Sequence, residues 1–289
     1  MRNDPEVRRA VDRYQLGIPT SPVSGSAGEL LGKGTGSSLE FQEHREYLPG
    51  DDLRHLDWAV YARSDSLMVR MYREEISPNT QVILDVSRSM DTGFDGSRGI
   101  KSKVARQLAA MFGLMISSLG ARPSLVLVGD ERPVRELPFA EFELLSDWQM
   151  TGSRNLETAL VENAIPLKRG AVRIVISDWM FPHDPQSLVR RLAMDSSMMW
   201  GIQLLTDFEQ SPQPLGGRKL IDVESDEQSD LIIDHGVIDR YQKRLANLQN
   251  QLQSEFRRCR GTFVNCVAER GLDAICLQQL CESGILRVA

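Results

Sequence analysis

The sequence predicts an α/β protein: a doubly wound, mainly parallel sheet with helices on both faces, preceded by a β-rich accessory module. Three observations carry this reading. The runs QVILD (81–85), SLVLVGD (124–130) and AVRIVISDW (171–179) are short and apolar, as strands buried on both faces are. The segments between them have helical periodicity; Val104, Leu108, Met111, Met115 and Leu119 fall on one stripe of a helix over 101–119. Strand and helix then alternate along the chain, which calls for crossover connections and hence parallel pairing.

In chain order, residues 1–17 read as a short charged helix. Residues 18–38, rich in Gly, Pro and Ser, read as loop. SLMVRMYRE alternates Leu67, Val69 and Met71 against Met68, Arg70 and Tyr72, the period of a strand. This module ends near residue 79, and an α/β domain with a helical continuation runs from 80 to 289. Within it PVRELPF reads as a strand beside SLVLVGD, and AEFELLSDW, NLETALVENAI and QSLVRRLAM read as helices. MMWGIQLLT (198–206) and KLIDVES read as strands. A long helix over 236–258 places Val237, Tyr241, Leu245, Leu248, Leu252 and Phe256 on one face, and Gly261 ends it. The tail ILRVA reads as a last strand.

The chain has 289 residues and a net charge of −6, so it lacks the basic field of a dedicated nucleic-acid binder. Its N-terminus, MRNDPEVRRAVDRYQLG, has no apolar core and is not read as a secretory signal. No apolar run approaches the ~18–20 residues that span a bilayer. The expectation is a soluble, cytoplasmic protein. Cys259, Cys266, Cys276 and Cys281 match no zinc spacing and are expected as buried or half-buried free thiols.

Ligands of open α/β sheets collect at the carboxyl ends of the strands. Two apolar strands end there in acids, Asp85 followed by VSRSM and Asp178 followed by WM. A carboxylate with two hydroxyls at two-residue spacing, Asp85-x-Ser87-x-Ser89, is a hard-oxygen donor set suited to Mg²⁺ or Mn²⁺. The same residues would also serve as loop and helix caps. The spacing lacks the second Asp of the D-x-D phosphatases, which argues against a nucleophilic carboxylate. Residues 222–239 hold seven acids and no Lys or Arg, and read as a solvated loop with helix N-terminal charges; an acidic docking patch is the sharper alternative.

DVSRSM after QVIL resembles the first segment of the metal-ion-dependent adhesion site of von Willebrand factor type A domains. Upstream, Gly34, Gly36, Phe41, Arg45, Tyr47, Gly50, Asp51, Asp52, Arg54, Asp57, Trp58, Ala62 and Arg63 match, with one extra residue before Phe41, the signature of the domain of unknown function 58 (DUF58) family. The combined resemblance spans roughly residues 20–205. It implies an A-type fold in which Asp85, Ser87 and Ser89 hold a metal directly or through water, and Asp178 is the third-segment acid. It also implies that a partner's carboxylate fills the metal's open position, so the site is adhesive, not hydrolytic.

The second segment departs from that pattern. Gly152-Ser153-Arg154-Asn155-Leu156 puts Arg154 where the family has a Thr ligand. A guanidinium has no acceptor and is always charged, so it is no ligand. Three outcomes follow: a weakened metal site; a metal-free site in which Arg154 pairs with Asp85 and Asp178; or a slipped loop in which Thr151 or Ser153 supplies the oxygen. In the signature module, Arg45, Asp52, Arg54, Asp57 and Arg63 are docking candidates. The plainer reading is that they hold the module together through ion pairs.

Members of the family resemble components that work beside MoxR-type AAA+ ATPases. The implied role is a non-enzymatic protein-interaction adaptor in chaperone-like assembly or maturation. The alternatives are a Mg²⁺-dependent hydrolase using Asp85 and Asp178, and a structural scaffold.

Overall fold

The computed structural model describes residues 1–18, 39–47, 56–74, 80–93, 97–129, 134–162, 164–214, 216–221 and 228–289. The chain divides into two units, Met1–Val23 with Pro78–Ala289, and Ser24–Ser77. Its elements are α1 (Pro5–Arg13), β1 (Tyr14–Leu16), β2 (Leu39–Glu46), α2 (Trp58–Ser64), β3 (Met68–Glu74), β4 (Thr80–Asp85), α3 (Ile100–Ser118), β5 (Ser124–Val128) and β6 (Arg135–Leu137). Then follow α4 (Leu156–Val161), β7 (Val172–Ser177), α5 (Pro185–Ala193), β8 (Met198–Leu205), α6 (Asp207–Gln210), β9 (Gly216–Ile221), β10 (Gln228–Ile233), α7 (His235–Arg258), β11 (Thr262–Val267), α8 (Gly271–Ile275) and β12 (Leu286–Val288). Among the described residues no helix is long and apolar enough to cross a membrane.

The larger unit is built on a six-stranded sheet in the order β11-β8-β7-β4-β5-β6, parallel except for β6. Alternation along each strand fills two cores. Val82, Leu84, Ile174, Ile176, Ile202 and Leu204 face one core with α1, α3 and α8. Ile83, Val126, Val175, Met199 and Phe263 face the other with α4, α5 and α7. Burial on both faces is why these strands read as continuous apolar runs.

Two glycines set how closely the helices approach. A Cβ on Gly113 of α3 would lie 2.1 Å from Phe142, and one on Gly201 of β8 would lie 2.3 Å from Phe256 of α7. Both rings therefore sit directly on backbone, a packing only Gly admits.

The N-terminal residues that the sequence groups with the accessory module pack on the larger unit instead. Asp4 caps α1 by accepting from Glu6 and Val7 N–H, and Pro5 starts the helix. Val7 and Ala10 are buried in the first core, and β1 pairs antiparallel with β12 (Tyr14 opposite Val288). The expected last strand thus exists but lies outside the main sheet. AEFELLSDW forms 3₁₀ turns over Phe139–Ser146 rather than an α-helix. Part of the expected acidic loop, Gln228–Ile233, is a strand paired with β9; residues 222–227 lie outside the described ones.

In the smaller unit β2 and β3 form an antiparallel pair with a register shift between Phe41 and Glu43. Asp57 caps α2 by accepting from Ala59 and Val60 N–H, and its second oxygen lies 2.8 Å from His44 Nε2. Asp57 is therefore a local organiser of its module. Arg63 is exposed and donates to the Ala59 carbonyl. Arg45 occupies a strand position opposite Val69; Asp52 and Arg54 lie outside the described residues.

Candidate functional site

Two neighbouring parallel strands bring their acidic ends together. β4 finishes at Asp85 and β7 at Ser177, with Asp178 next, and both carboxylates are 1% exposed. Asp85 Oδ1 accepts from the Ser87 N–H at 2.9 Å, and its Oδ2 accepts from Ser177 Oγ at 2.7 Å. The Ser87 and Ser89 hydroxyl oxygens are 3.0 Å apart. The second segment lies alongside: Gly152 donates to the Val86 carbonyl at 3.2 Å and accepts from the Arg88 N–H at 2.7 Å, with Ser87 opposite Gly152. The three segments separated in sequence therefore converge. Thr151 and Ser153, on either side of Gly152, are exposed.

The cation at this site is not Arg154. Its Nε pairs with Glu162, the residue that caps the far end of the following helix α4, at 3.5 Å. Lys101, at the start of α3 and fully buried, reaches Asp178 Oδ2 at 3.3 Å and Glu209 Oε1 at 2.7 Å. Of the three outcomes open for Arg154, the one in which it pairs with Asp85 and Asp178 is corrected accordingly. A helix N-terminus disfavours a cation. Burial also works against the ammonium, but Asp178 and Glu209 outweigh it and hold Lys101 above its ordinary value.

Glu209 is itself tied down. Its other oxygen accepts from the Thr206 N–H at 2.7 Å, closing a capping box around α6, and Oε1 also accepts from Thr92 Oγ1 at 2.9 Å. The Tyr241 hydroxyl donates to the Glu209 carbonyl at 2.6 Å, linking the site to α7. Sequence reasoning missed Lys101, Ser177 and Glu209. A readable signal existed for Lys101: it lies three residues before Val104, on the buried stripe of α3, where a charge requires a partner.

Asp85 lies beyond the reach of this compensation. Burial, and then the charge of Asp178, push its carboxyl up to about 6. Three carboxylates against one ammonium leave the cluster negative. The Ser87–Ser89 separation of 3.0 Å equals the roughly 3.0 Å edge between neighbouring ligands of an octahedral ion held at about 2.1 Å. Asp85, Ser87 and Ser89 are thus oxygen donors of the kind a small divalent cation takes, and Asp178 is paired with Lys101 beside them. The set is leaner than the A-domain pattern because no Thr oxygen replaces Arg154. Among the described residues no group of three or more His, Cys, Asp or Glu forms a candidate metal cage, so any cation here depends on the hydroxyls.

The four cysteines are free thiols, two buried and two half-buried. Burial pushes Cys266 up to about 12 and also raises Cys276, so both are held as protonated thiols.

The chain is similar to other proteins along most of its length. The model of the family described as "Protein of unknown function DUF58" matches residues 43–251. The uncharacterized proteins Rv1480 of Mycobacterium tuberculosis and Mb1516 of Mycobacterium bovis are each 24% identical over 276 residues, covering 93% of this chain and 87% of theirs. Similar solved structures include BatB of Bacteroides thetaiotaomicron, at 9% identity and a TM-score of 0.37, covering 66% of this chain and 90% of that one. The SpRpn10 VWA domain is 10% identical, with a TM-score of 0.39, covering 68% and 90%.

Proposed function

Since the chain belongs to the family of proteins of unknown function DUF58, we propose its function from the site itself: a non-enzymatic protein-interaction adaptor that binds its partner at the strand ends. The observation that supports this most is the convergence of Asp85, Ser87 and Ser89 with Asp178 at the carboxyl ends of β4 and β7. Asp85, Ser87 and Ser89 would hold Mg²⁺ or Mn²⁺, with Asp178 beside them. The ion would supply an open position for a partner's carboxylate.

The chain's own residues do the rest. Ser177 and the Ser87 N–H orient the Asp85 carboxylate. Lys101 neutralises part of the charge, so that a divalent ion meets a moderate field. The Gly152 backbone holds the serine loop against the sheet end. The partner class is a MoxR-type AAA+ ATPase and the process chaperone-like assembly or maturation in the cytoplasm; the resemblance of the signature residues is what supports this part.

Calorimetry and thermal melts with Mg²⁺ and Mn²⁺ test the ion. At a free ion concentration a hundredfold above Kd the wild type gains about 2.7 kcal/mol of stability, and Asp85→Ala gains none. A melting shift that persists in Asp85→Ala would sink the ion assignment. Binding of a purified MoxR-type ATPase to the wild type, lost in Asp85→Ala and Ser87→Ala, tests the partner. Binding unchanged in both variants would move the interface elsewhere.

A further inference from the structure

The sheet's β11 edge carries a second binding feature, remote in sequence from the strand-end acids. β11 pairs with β8 through six consecutive residues, Thr262–Val267 with Trp200–Leu205, without a register shift. In a parallel ladder alternate residues turn their N–H and C=O towards the neighbour and the others turn away. Among the described residues no main-chain group of Thr262–Val267 bonds to anything beyond the sheet. Exposed edges are normally blunted by Lys, Pro, a bulge or brevity. TFVNCV has no Lys, no Pro and no bulge.

This edge is recessed. It forms the floor of a groove of about 850 Å³, walled by Gln253 and Arg257 of α7 on one side and by Gln279 and Glu282, after α8, on the other. Arg270 stands past the C-terminal end of the strand. A walled edge admits one extended strand at the usual ~4.8 Å spacing, but not the face of another sheet. Two exposed guanidiniums, Arg257 and Arg270, against the single Glu282 make the groove favour anions.

We propose that the β11 edge docks an extended acidic segment of a partner protein, which joins the sheet as a further strand. Main-chain hydrogen bonds supply the binding, and acidic side chains towards the segment's two ends meet Arg257 and Arg270.

Residue-resolved amide exchange on the full-length protein tests this, with the probe acetyl-Glu-Val-Thr-Val-Thr-Glu-amide. At ten times Kd the outward amides of Thr262–Val267 slow roughly tenfold. The double variant Arg257→Glu/Arg270→Glu loses the effect and regains it with Lys in place of Glu in the probe. Four results would overturn the proposal. The outward amides are already slow in the protein alone. They slow with protein concentration in the absence of peptide, which would mean self-pairing. They are unmoved by millimolar peptide. Or a probe N-methylated at every residue slows them equally.

Discussion

Lys101 carries an ammonium into a fully buried position at the start of a helix, and two carboxylates make that tolerable. Replacing it with Met leaves Asp178 and Glu209 facing each other without a counter-charge. A loss of about 3–5 kcal/mol follows, read from urea unfolding. Lys101→Met combined with Glu209→Gln costs less than the sum of the two single changes, because the second removes a charge the first stranded. A strictly additive result would mean that the pair does not interact. The thiols make a second prediction at this scale. Cys266 has its pKa pushed up to about 12 by burial. Almost no thiolate exists at pH 8, since the thiol stays protonated until the pH approaches that value. Iodoacetamide therefore leaves Cys266 and Cys276 unmodified in the folded protein, as mass spectrometry would show, and labels both after unfolding.

At the scale of elements, contacts between helix and strand are set where backbone meets ring. Gly201→Ala drives a methyl against Phe256, whose ring also stacks edge-on to Trp179 at 5.6 Å. A loss of about 1–3 kcal/mol is expected in chemical denaturation; Phe256→Leu, which opens space there, should restore part of it to Gly201→Ala. The central strands were legible in sequence because burial on both faces leaves only apolar residues, and Val82–Leu84 or Val172–Ile176 show nothing else but Arg173. The strand-end acids were legible for the same reason: an ion closing an apolar run stands out. What the sequence hid was pairing. Whether Arg154 turns to Asp178 or to Glu162 depends on where α4 starts. That start is set by Asn155, whose side chain accepts from the Thr158 N–H. Ser177 was hidden because a hydroxyl at the end of a strand has many ordinary uses. β10 was missed because it was read together with the neighbouring acids of 222–239 as one loop, although Gln228–Ile233 itself holds a single acid, Asp230, among Leu231, Ile232 and Ile233.

For the whole molecule, the first residues belong structurally with the last. Removing residues 1–16 strips Val7, Ala10, Tyr14 and Leu16 from the core, each at most 8% exposed. Burial of a large apolar side chain contributes about 1.5–3 kcal/mol, so the shortened chain should melt far below the full one in calorimetry. An unchanged melting temperature would mean that α1 adds nothing to the larger unit. The sequence grouped this helix with the module that follows it, because proximity along a chain was the only guide. Its true partners, α3, α8 and β12, come later.

That closure bears on how the protein is made. β1 leaves the ribosome about 270 residues before β12 (Leu16 pairs with Leu286), its strand partner among the described residues, with the Ala289 N–H bonding the Arg13 carbonyl. At ordinary rates of synthesis, about 5–20 residues per second, β1 waits roughly 15 to 55 s before that partner is translated. The nascent chain therefore completes its larger unit only once β12 has emerged, and until then the apolar side of α1 lacks part of its cover.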